Sequence, residues 1–86
     1  MAEIRMYSTA FCPYCVRAEQ LLRARGVRAI DKIFIDRMPD GYQYLVNMTG
    51  RRTVPQIYIN ERHIGGFDDL LELDAAGGLV PLLAND

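Results

Sequence analysis

The fold of this chain is decided by residues 11–22, FCPYCVRAEQLL, which place its only two cysteines at the start of a helical pattern. Cys12 and Cys15 lie three positions apart, and Pro13 between them occupies a favourable first-turn position. Apolar residues then recur with helical spacing, at Val16, Ala18, Leu21 and Leu22. Residues 3–8 alternate between polar and apolar and predict a short strand. The cysteine pair therefore follows a strand and opens a helix.

The cysteine pair has three explanations: a structural disulfide, half of a zinc site, or a redox pair. Small secreted domains that depend on disulfides usually carry several pairs, so a single close pair points away from the first. Zinc usually needs four ligands, and only His63 remains, which we expect to be an ordinary solvated histidine in an edge strand. The position after a strand–helix junction favours a redox pair, and a buried inert pair is the remaining alternative.

The start of the helix predicts different roles for the two cysteines. Cys12 falls just before the helix, where unpaired backbone amides and the positive end of the helix dipole favour a thiolate. Thiols in such settings have pKa values between roughly 3.5 and 7.5, lowered from about 8.5. Cys15 lies one helical turn further in. We therefore predict that Cys12 attacks and that Cys15 closes an internal disulfide.

Composition limits the class of protein. With 86 residues, half of them apolar, we expect one domain over residues 1–86 that buries roughly 60 to 70% of its unfolded surface. Ten basic and eleven acidic residues nearly balance, and no charge run indicates a nucleic-acid partner. No secretory signal pattern is visible, and no stretch approaches the roughly 18 apolar residues of a membrane helix. We expect a cytoplasmic protein with no nucleic-acid or membrane partner.

The remaining pattern predicts the element order β-α-β-α-β-β-α. The second strand is predicted within residues 27–36, VRAIDKIFID, with its apolar centre at residues 33–35. A second helix is predicted over residues 39–48, and it closes at Thr49 and Gly50.

The C-terminal part of the pattern predicts a hairpin and a last helix. Residues 54–60, VPQIYIN, form the third predicted strand, and a turn at residues 60–62 leads into a short fourth strand. Two glycines at residues 65–66 break the pattern before a helix over residues 68–76. Pro81 starts one further helical turn or lies in a packed tail.

Three motifs give the chain a resemblance to a known family. The chain resembles a dithiol glutaredoxin of the bacterial kind, through CPYC at residues 12–15, TVP at residues 53–55 and GGFDD at residues 65–69. The resemblance covers essentially the whole chain. It implies an α/β, thioredoxin-like fold with a central four-stranded mixed sheet flanked by helices, and glutathione as the reducing co-substrate. It also implies a cis peptide bond before Pro55, which costs only about 0.5 to 1 kcal/mol for such a bond.

The resemblance further implies a glutathione site beside the cysteines. In the family, the backbone of the residue matching Val54 pairs with the cysteine moiety of glutathione like one rung of an antiparallel ladder. The predicted binding residues are Tyr14, Arg51, Arg52, Thr53, Val54, Pro55, Gly66, Phe67, Asp68 and Asp69. No metal and no tightly bound cofactor are expected.

The glutamyl and glycyl ends of glutathione, a tripeptide, need different partners. Backbone amides around Phe67 and Asp68 at the start of the last helix would take the glutamyl carboxylate, and Asp69 the glutamyl amino group. A simple helix cap is the other explanation for either aspartate. Arg51 and Arg52 are the candidate cations for the glycyl carboxylate, although a surface arginine is more often merely solvated.

The chain departs from the family at two places. A lysine common before the CPYC motif is replaced by uncharged residues at residues 8–10, and a glutamine of the second helix is replaced at Tyr42, with Gln43 beside it. We therefore predict that glutathione affinity depends more heavily on Arg51 or Arg52.

The expected function is glutathione-dependent thiol-disulfide exchange by a monomer. Its partners are glutathione and disulfide-containing or glutathionylated proteins, and Cys12 becomes a mixed disulfide with glutathione during the reaction. Three alternatives stay open. The first is an iron-sulfur cluster shared by two chains through Cys12 and glutathione, the second is direct reduction by thioredoxin reductase, and the third is zinc binding.

Overall fold

A computed structural model describes residues 2–84 of the chain. The strands are β1 Ile4–Ser8, β2 Asp31–Phe34, β3 Gln56–Ile59 and β4 Arg62–Gly65. The helices are α1 Pro13–Ala24, α2 Gly41–Thr49, α3 Phe67–Ala75 and α4 Leu79–Ala84. The predicted order β-α-β-α-β-β-α is confirmed, with α4 added after it and a 3₁₀ turn, Ile35–Arg37, after β2. Within residues 2–84, no helix combines the length and the apolar character that crossing a bilayer requires.

The four strands form one mixed sheet in the order β2-β1-β3-β4. β1 pairs in parallel with β2 and antiparallel with β3, and β3 and β4 form an antiparallel hairpin. The hairpin turns through Asn60 and Glu61, whose φ values of 51° and 65° are those of a tight two-residue turn. The predicted four-stranded mixed sheet flanked by helices is therefore confirmed.

Each face of the sheet buries its own core. Successive side chains of a strand point to opposite faces, so the neighbours Met6 and Tyr7 of β1 enter different cores. The larger core packs α1, α3 and α4 against β1 and β3, and it contains Ile4, Met6, Ala18, Leu22, Ile57, Ile59, Leu70 and Leu79. The smaller core, under α2, contains Tyr7, Ile35 and Leu45.

The second strand is shorter than its sequence pattern predicted. β2 pairs only with β1, and the pairing ends where Phe34 lies opposite Ser8, the last residue of β1. Beyond Phe34, residues 2–84 offer no further strand residue to pair with, and the chain enters the 3₁₀ turn instead. The turn places Ile35 in the smaller core, so this apolar residue does not belong to the strand as predicted.

Helix ends differ from the prediction by one or two residues, for local reasons. α2 begins at Gly41 because Asp40 before it has φ 51°, and a Cβ at residue 41 would overlap the Ile35 carbonyl. Gly50, with φ 76°, ends α2 as predicted. α4 begins two residues before Pro81, which therefore lies in the first turn, where a missing N–H costs nothing.

Candidate active site

The two cysteines form a disulfide bond at the start of α1. Their Cα atoms are 5.2 Å apart. Cys12 is the residue before the helix, and the backbone N–H of Cys15 donates to its sulfur at 3.1 Å. Cys15 is 5% exposed, whereas Cys12 is only half-buried. The two sulfurs therefore differ in exposure, and a helix amide is directed at the outer one.

Local sequence explains why α1 begins here. Cys12 has the extended backbone of a helix cap, with φ −138° and ψ 97°, and Pro13 follows at the first helical position. The first turn carries no acidic residue that would oppose a thiolate. The segment before Cys12 is hydrogen-bonded to the 3₁₀ turn, because the N–H of Ala10 donates to the carboxylate of Asp36 in that turn at 3.1 Å.

The TVP loop packs against the outer cysteine. The Val54–Pro55 peptide bond is cis, which confirms the expectation from the resemblance. The Val54 carbonyl oxygen lies 3.8 Å from the Cys12 sulfur. The side chain of Gln56 donates to the backbone oxygen of Thr53 at 2.9 Å and to its hydroxyl at 3.3 Å. Gln56 of β3 therefore holds the TVP loop in place, and the backbone of the loop faces the Cys12 sulfur.

A cavity of about 310 Å³ lies between the TVP loop and the start of α3. Nine of the ten predicted glutathione-binding residues line it, and Arg52 is the one that does not. The rings of Tyr14 and Phe67, with centroids 6.1 Å apart, form an aromatic wall. Because Tyr14 lies between the two cysteines in the sequence, the cavity adjoins the disulfide.

Arg51 and Asp69 form an ion pair inside this lining. Arg51 Nη1 donates to Asp69 Oδ2 at 2.7 Å, and the same oxygen accepts the Gly66 N–H at 2.8 Å. These two hydrogen bonds, that of Arg51 first, lower the pKa of Asp69, and the bond to Asp69 raises the pKa of Arg51. Asp69 thus caps α3, the alternative that the sequence left open. The pairing of Asp69 with Arg51 was not predicted.

Gly65 has to be a glycine for the cap to form. Its φ is 117°, and the Asp69 carboxylate occupies the space that a Cβ at residue 65 would need. The glycine therefore allows the carboxylate to reach the Gly66 amide.

His63 and Gln56 are residues whose importance the sequence reasoning missed. His63 is exposed and lies in the edge strand β4, as expected, but its ring makes two contacts that were not predicted. Its Nε2 lies 2.8 Å from the side-chain oxygen of the buried Gln56, and its ring lies 5.0 Å from that of Tyr58. A single polar residue within the apolar strand sequence QIYI was the available signal.

The two departures from the family pattern lie outside the larger cavity. Residues 8–10 line a smaller cavity of about 170 Å³ that both cysteines also line. Lys32 lines it too and binds Glu19 at 2.7 Å, so a cation that the sequence reasoning missed lies on this side of the disulfide. Tyr42 does not line either cavity, nor does Gln43, which donates to Asn47 at 2.9 Å.

A metal site was the third explanation of the cysteine pair. In the described part of the chain, no group of three or more His, Cys, Asp or Glu residues lies close enough together to hold a metal ion. The zinc alternative therefore finds no ligand set among residues 2–84.

Comparison with known proteins gives one consistent result. The family model described as Glutaredoxin matches residues 4–64. The glutaredoxin of Neisseria meningitidis is 47% identical over 83 residues, which cover 96% of this chain and 98% of that protein. Glutaredoxin 3 of Escherichia coli is also 47% identical over 83 residues, which cover 96% of this chain and 99% of that protein.

Solved structures agree with these relatives. The crystal structure of a buckwheat glutaredoxin–glutathione complex has a TM-score of 0.86 and 36% identity, and the match covers 96% of this chain and 77% of that one. The solution structure of a dithiolic glutaredoxin from Trypanosoma brucei brucei has a TM-score of 0.82 and 40% identity, and the match covers 94% and 86%. With its cysteine pair at the start of α1, this chain belongs to the glutaredoxin family and is a thiol-disulfide oxidoreductase.

Proposed function

We propose that this protein uses glutathione to reduce protein disulfides and glutathione mixed disulfides, with Cys12 as the nucleophile. The observation that carries the proposal is the cavity between the TVP loop and α3, which adjoins the disulfide and is lined by nine predicted glutathione-binding residues. The related buckwheat glutaredoxin was solved as a complex with glutathione, which supports the same ligand here.

The Cys12 thiolate starts the reaction. It attacks the glutathione sulfur of a glutathionylated protein, the protein sulfur leaves and takes up a proton, and Cys12 is joined to glutathione. A second glutathione thiolate then attacks the glutathione sulfur of this mixed disulfide. Glutathione disulfide is released, and the Cys12 thiolate is regenerated. One free glutathione is consumed in each cycle, and the substrate disulfide is exchanged for glutathione disulfide and a protein thiol.

Protein disulfides require the second cysteine. After Cys12 has attacked one sulfur of the client, Cys15 loses its proton and attacks the Cys12 sulfur, which releases the client as a dithiol. The Cα distance of 5.2 Å lets this internal disulfide close. Two glutathione molecules then reduce the Cys12–Cys15 disulfide, first to a mixed disulfide and then to the dithiol.

The helix start supports the leaving and attacking roles of Cys12. The N–H of Cys15, 3.1 Å from the Cys12 sulfur, and the helix dipole both favour an anion there. A sulfur that is stable as an anion is also a good leaving group, so the same contacts speed its release from a mixed disulfide.

The cavity offers a partner for each part of the tripeptide. The Val54 backbone pairs with the cysteine moiety, and the amides at the start of α3 take the glutamyl carboxylate. Arg51 is the cation that lines the cavity, and its planar guanidinium keeps further N–H donors besides the one given to Asp69. We therefore assign a glutathione carboxylate to Arg51 and not to Arg52; its predicted contact with the glycyl end stays a prediction.

The setting of the reaction follows from its chemistry. The cysteines and the cavity lining described here come from one chain, so we propose a monomer as the active form. Reduction by glutathione requires a reducing thiol pool, and for this reason we propose the cytosol as the compartment in which it works.

Removal of each cysteine in turn tests the proposal. We expect Cys12→Ser to abolish both glutathione-dependent reactions, because the attacking sulfur is lost. We expect Cys15→Ser to keep the reduction of a glutathionylated peptide and to lose most reduction of a protein disulfide, since only the latter needs an internal disulfide. Both rates are measured with purified proteins. An equal loss of both activities in the two variants would show that the roles are wrongly assigned.

A further inference from the structure

Gln56 is a fully buried polar residue at the start of β3, directly after the cis proline. A buried amide without hydrogen-bond partners is destabilising, so its contacts are informative. Its nitrogen donates to the backbone oxygen and to the hydroxyl of Thr53, and its oxygen lies 2.8 Å from His63 Nε2. The side chain thus links β4 to the TVP loop.

The hydrogen-bond directions in this link are fixed by chemistry. The Thr53 backbone oxygen can only accept a hydrogen bond, so the NH₂ group of Gln56 has to face it. The oxygen of the Gln56 amide therefore faces His63 and needs a donor. His63 supplies it through an Nε2–H, which defines the tautomer of the ring.

The hairpin register explains why these two side chains meet. Tyr58 lies directly opposite His63 in the β3–β4 pairing, and Gln56, two residues earlier on β3, shares the face of Tyr58. The His63 ring stacks on the Tyr58 ring, at an interplanar angle of 30°. The position of the imidazole is therefore set by the sheet, independently of any ligand.

His63 lies outside the cavity lining, and its charge state suits a fixed donor. Burial lowers the pKa of His63, and the positive charge of Arg51 lowers it further, against the opposite influence of Asp69. The lowered pKa favours the neutral ring, in which the Nε2–H that faces Gln56 is the one donor.

We propose that His63 is a positioning residue for thiol-disulfide exchange, which acts through Gln56 to hold the Thr53 backbone and thereby the Val54 carbonyl beside Cys12. The Val54 carbonyl lies 3.8 Å from the Cys12 sulfur, so a displaced loop changes the surface that receives the substrate. The inference rests on the proposed function, in which the Val54 backbone pairs with the cysteine moiety of glutathione. Substrate binding is the step that the position of the loop governs.

Two substitutions separate the hydrogen bond from the ring. His63→Phe keeps an aromatic ring on Tyr58 but removes the donor, whereas His63→Gln restores an N–H near the position of Nε2. We expect His63→Phe to raise the KM for a glutathionylated peptide about fivefold to tenfold, the value of one hydrogen bond, with kcat unchanged. We expect His63→Gln to stay within about twofold of the wild type. Arg62→Ala, on the same strand, is the matched control.

The NMR chemical shift of the Val54 amide, measured without glutathione, keeps the test separate from the proposed function. A shifted Val54 signal in His63→Phe, with wild-type positions in His63→Gln and Arg62→Ala, would support the inference even if wild-type protein failed to use glutathione. An unchanged Val54 signal and an unchanged KM in His63→Phe would overturn it. Equal damage in His63→Phe and His63→Gln would also overturn it, because the shape of the ring and not its donor would then matter.

Discussion

Two contacts at the Cys12 sulfur act in opposite directions once the disulfide is reduced. The Cys15 N–H at 3.1 Å favours the thiolate, whereas the Val54 carbonyl oxygen at 3.8 Å can only accept from the thiol. A hydrogen bond to an ionised group is about twice as strong as one between neutral groups, and the amide contact is also the shorter one. The balance therefore favours the anion, and the helix dipole adds to it.

A prediction about a single residue concerns the role of Arg51 in glutathione binding. Arg51 lines the cavity and Arg52 does not, although the two are neighbours in the sequence. We expect Arg51→Ala to raise the KM for glutathione about threefold to tenfold, because a charge-assisted contact with a carboxylate is lost.

Arg52→Ala is the matched control, and its KM should stay close to that of the wild type. Steady-state kinetics of both variants measures the KM values. Thermal unfolding of Arg51→Ala shows whether the loss of its ion pair with Asp69 also lowers stability. Unchanged KM values in both variants would exclude an arginine contact with glutathione.

At the level of secondary-structure elements, the N-termini of α1 and α3 lie on either side of the TVP loop and form the site with it. α1 begins at the cysteine pair. α3 begins at the far side of the cavity, where the Asp69 carboxylate caps the helix by accepting the Gly66 N–H. The TVP loop lies between them and is linked to β3 through Gln56. Two helix N-termini thus direct unpaired amides toward the region where an anionic sulfur and an anionic peptide end are expected.

The cap of α3 predicts a pH dependence of stability. The folded-state pKa of Asp69 is below its unfolded value of about 3.9, so its contribution is present above that pH and is lost as the pH falls through the folded value. We expect Asp69→Asn to lower the free energy of unfolding at neutral pH by about 0.5 to 1 kcal/mol, because a charged group at a helix N-terminus is lost.

The difference between Asp69→Asn and the wild type should then shrink as the pH falls below about 4. Chemical denaturation across a pH series measures it, with Glu72→Gln on the same helix as the control. A difference that stays constant down to acidic pH would mean that the Asp69 charge does not stabilise the cap.

At the scale of the whole molecule, the parts predicted from the sequence are those with local signals. Pro13 after a capping cysteine fixed the start of α1, and Gly50 marked the end of α2. The three motifs contain eight of the nine lining residues of the cavity, and the ninth, Arg51, was predicted as a cation just before the TVP motif. The end of β2 could not be predicted, because it depends on where its partner β1 ends.

Side-chain contacts between residues far apart in the sequence also could not be predicted. Arg51 and Asp69 are 18 positions apart, and their ion pair depends on how α3 packs beside the TVP loop. The Gln56–His63 contact depends on the register of a hairpin whose pairing shifts between Ile57 and Tyr58. Spacing in the sequence does not reveal either arrangement.

The ionisation of Cys12 is the most direct test of the account, because the chemistry depends on this sulfur being an anion at neutral pH. The measurement is the rate of alkylation of reduced protein as a function of pH, repeated on Cys15→Ser so that the titration is assigned to Cys12. We predict a midpoint between roughly 3.5 and 7.5, as for other thiols at helix N-termini. A midpoint near 8.5, the value of free cysteine, would contradict the account.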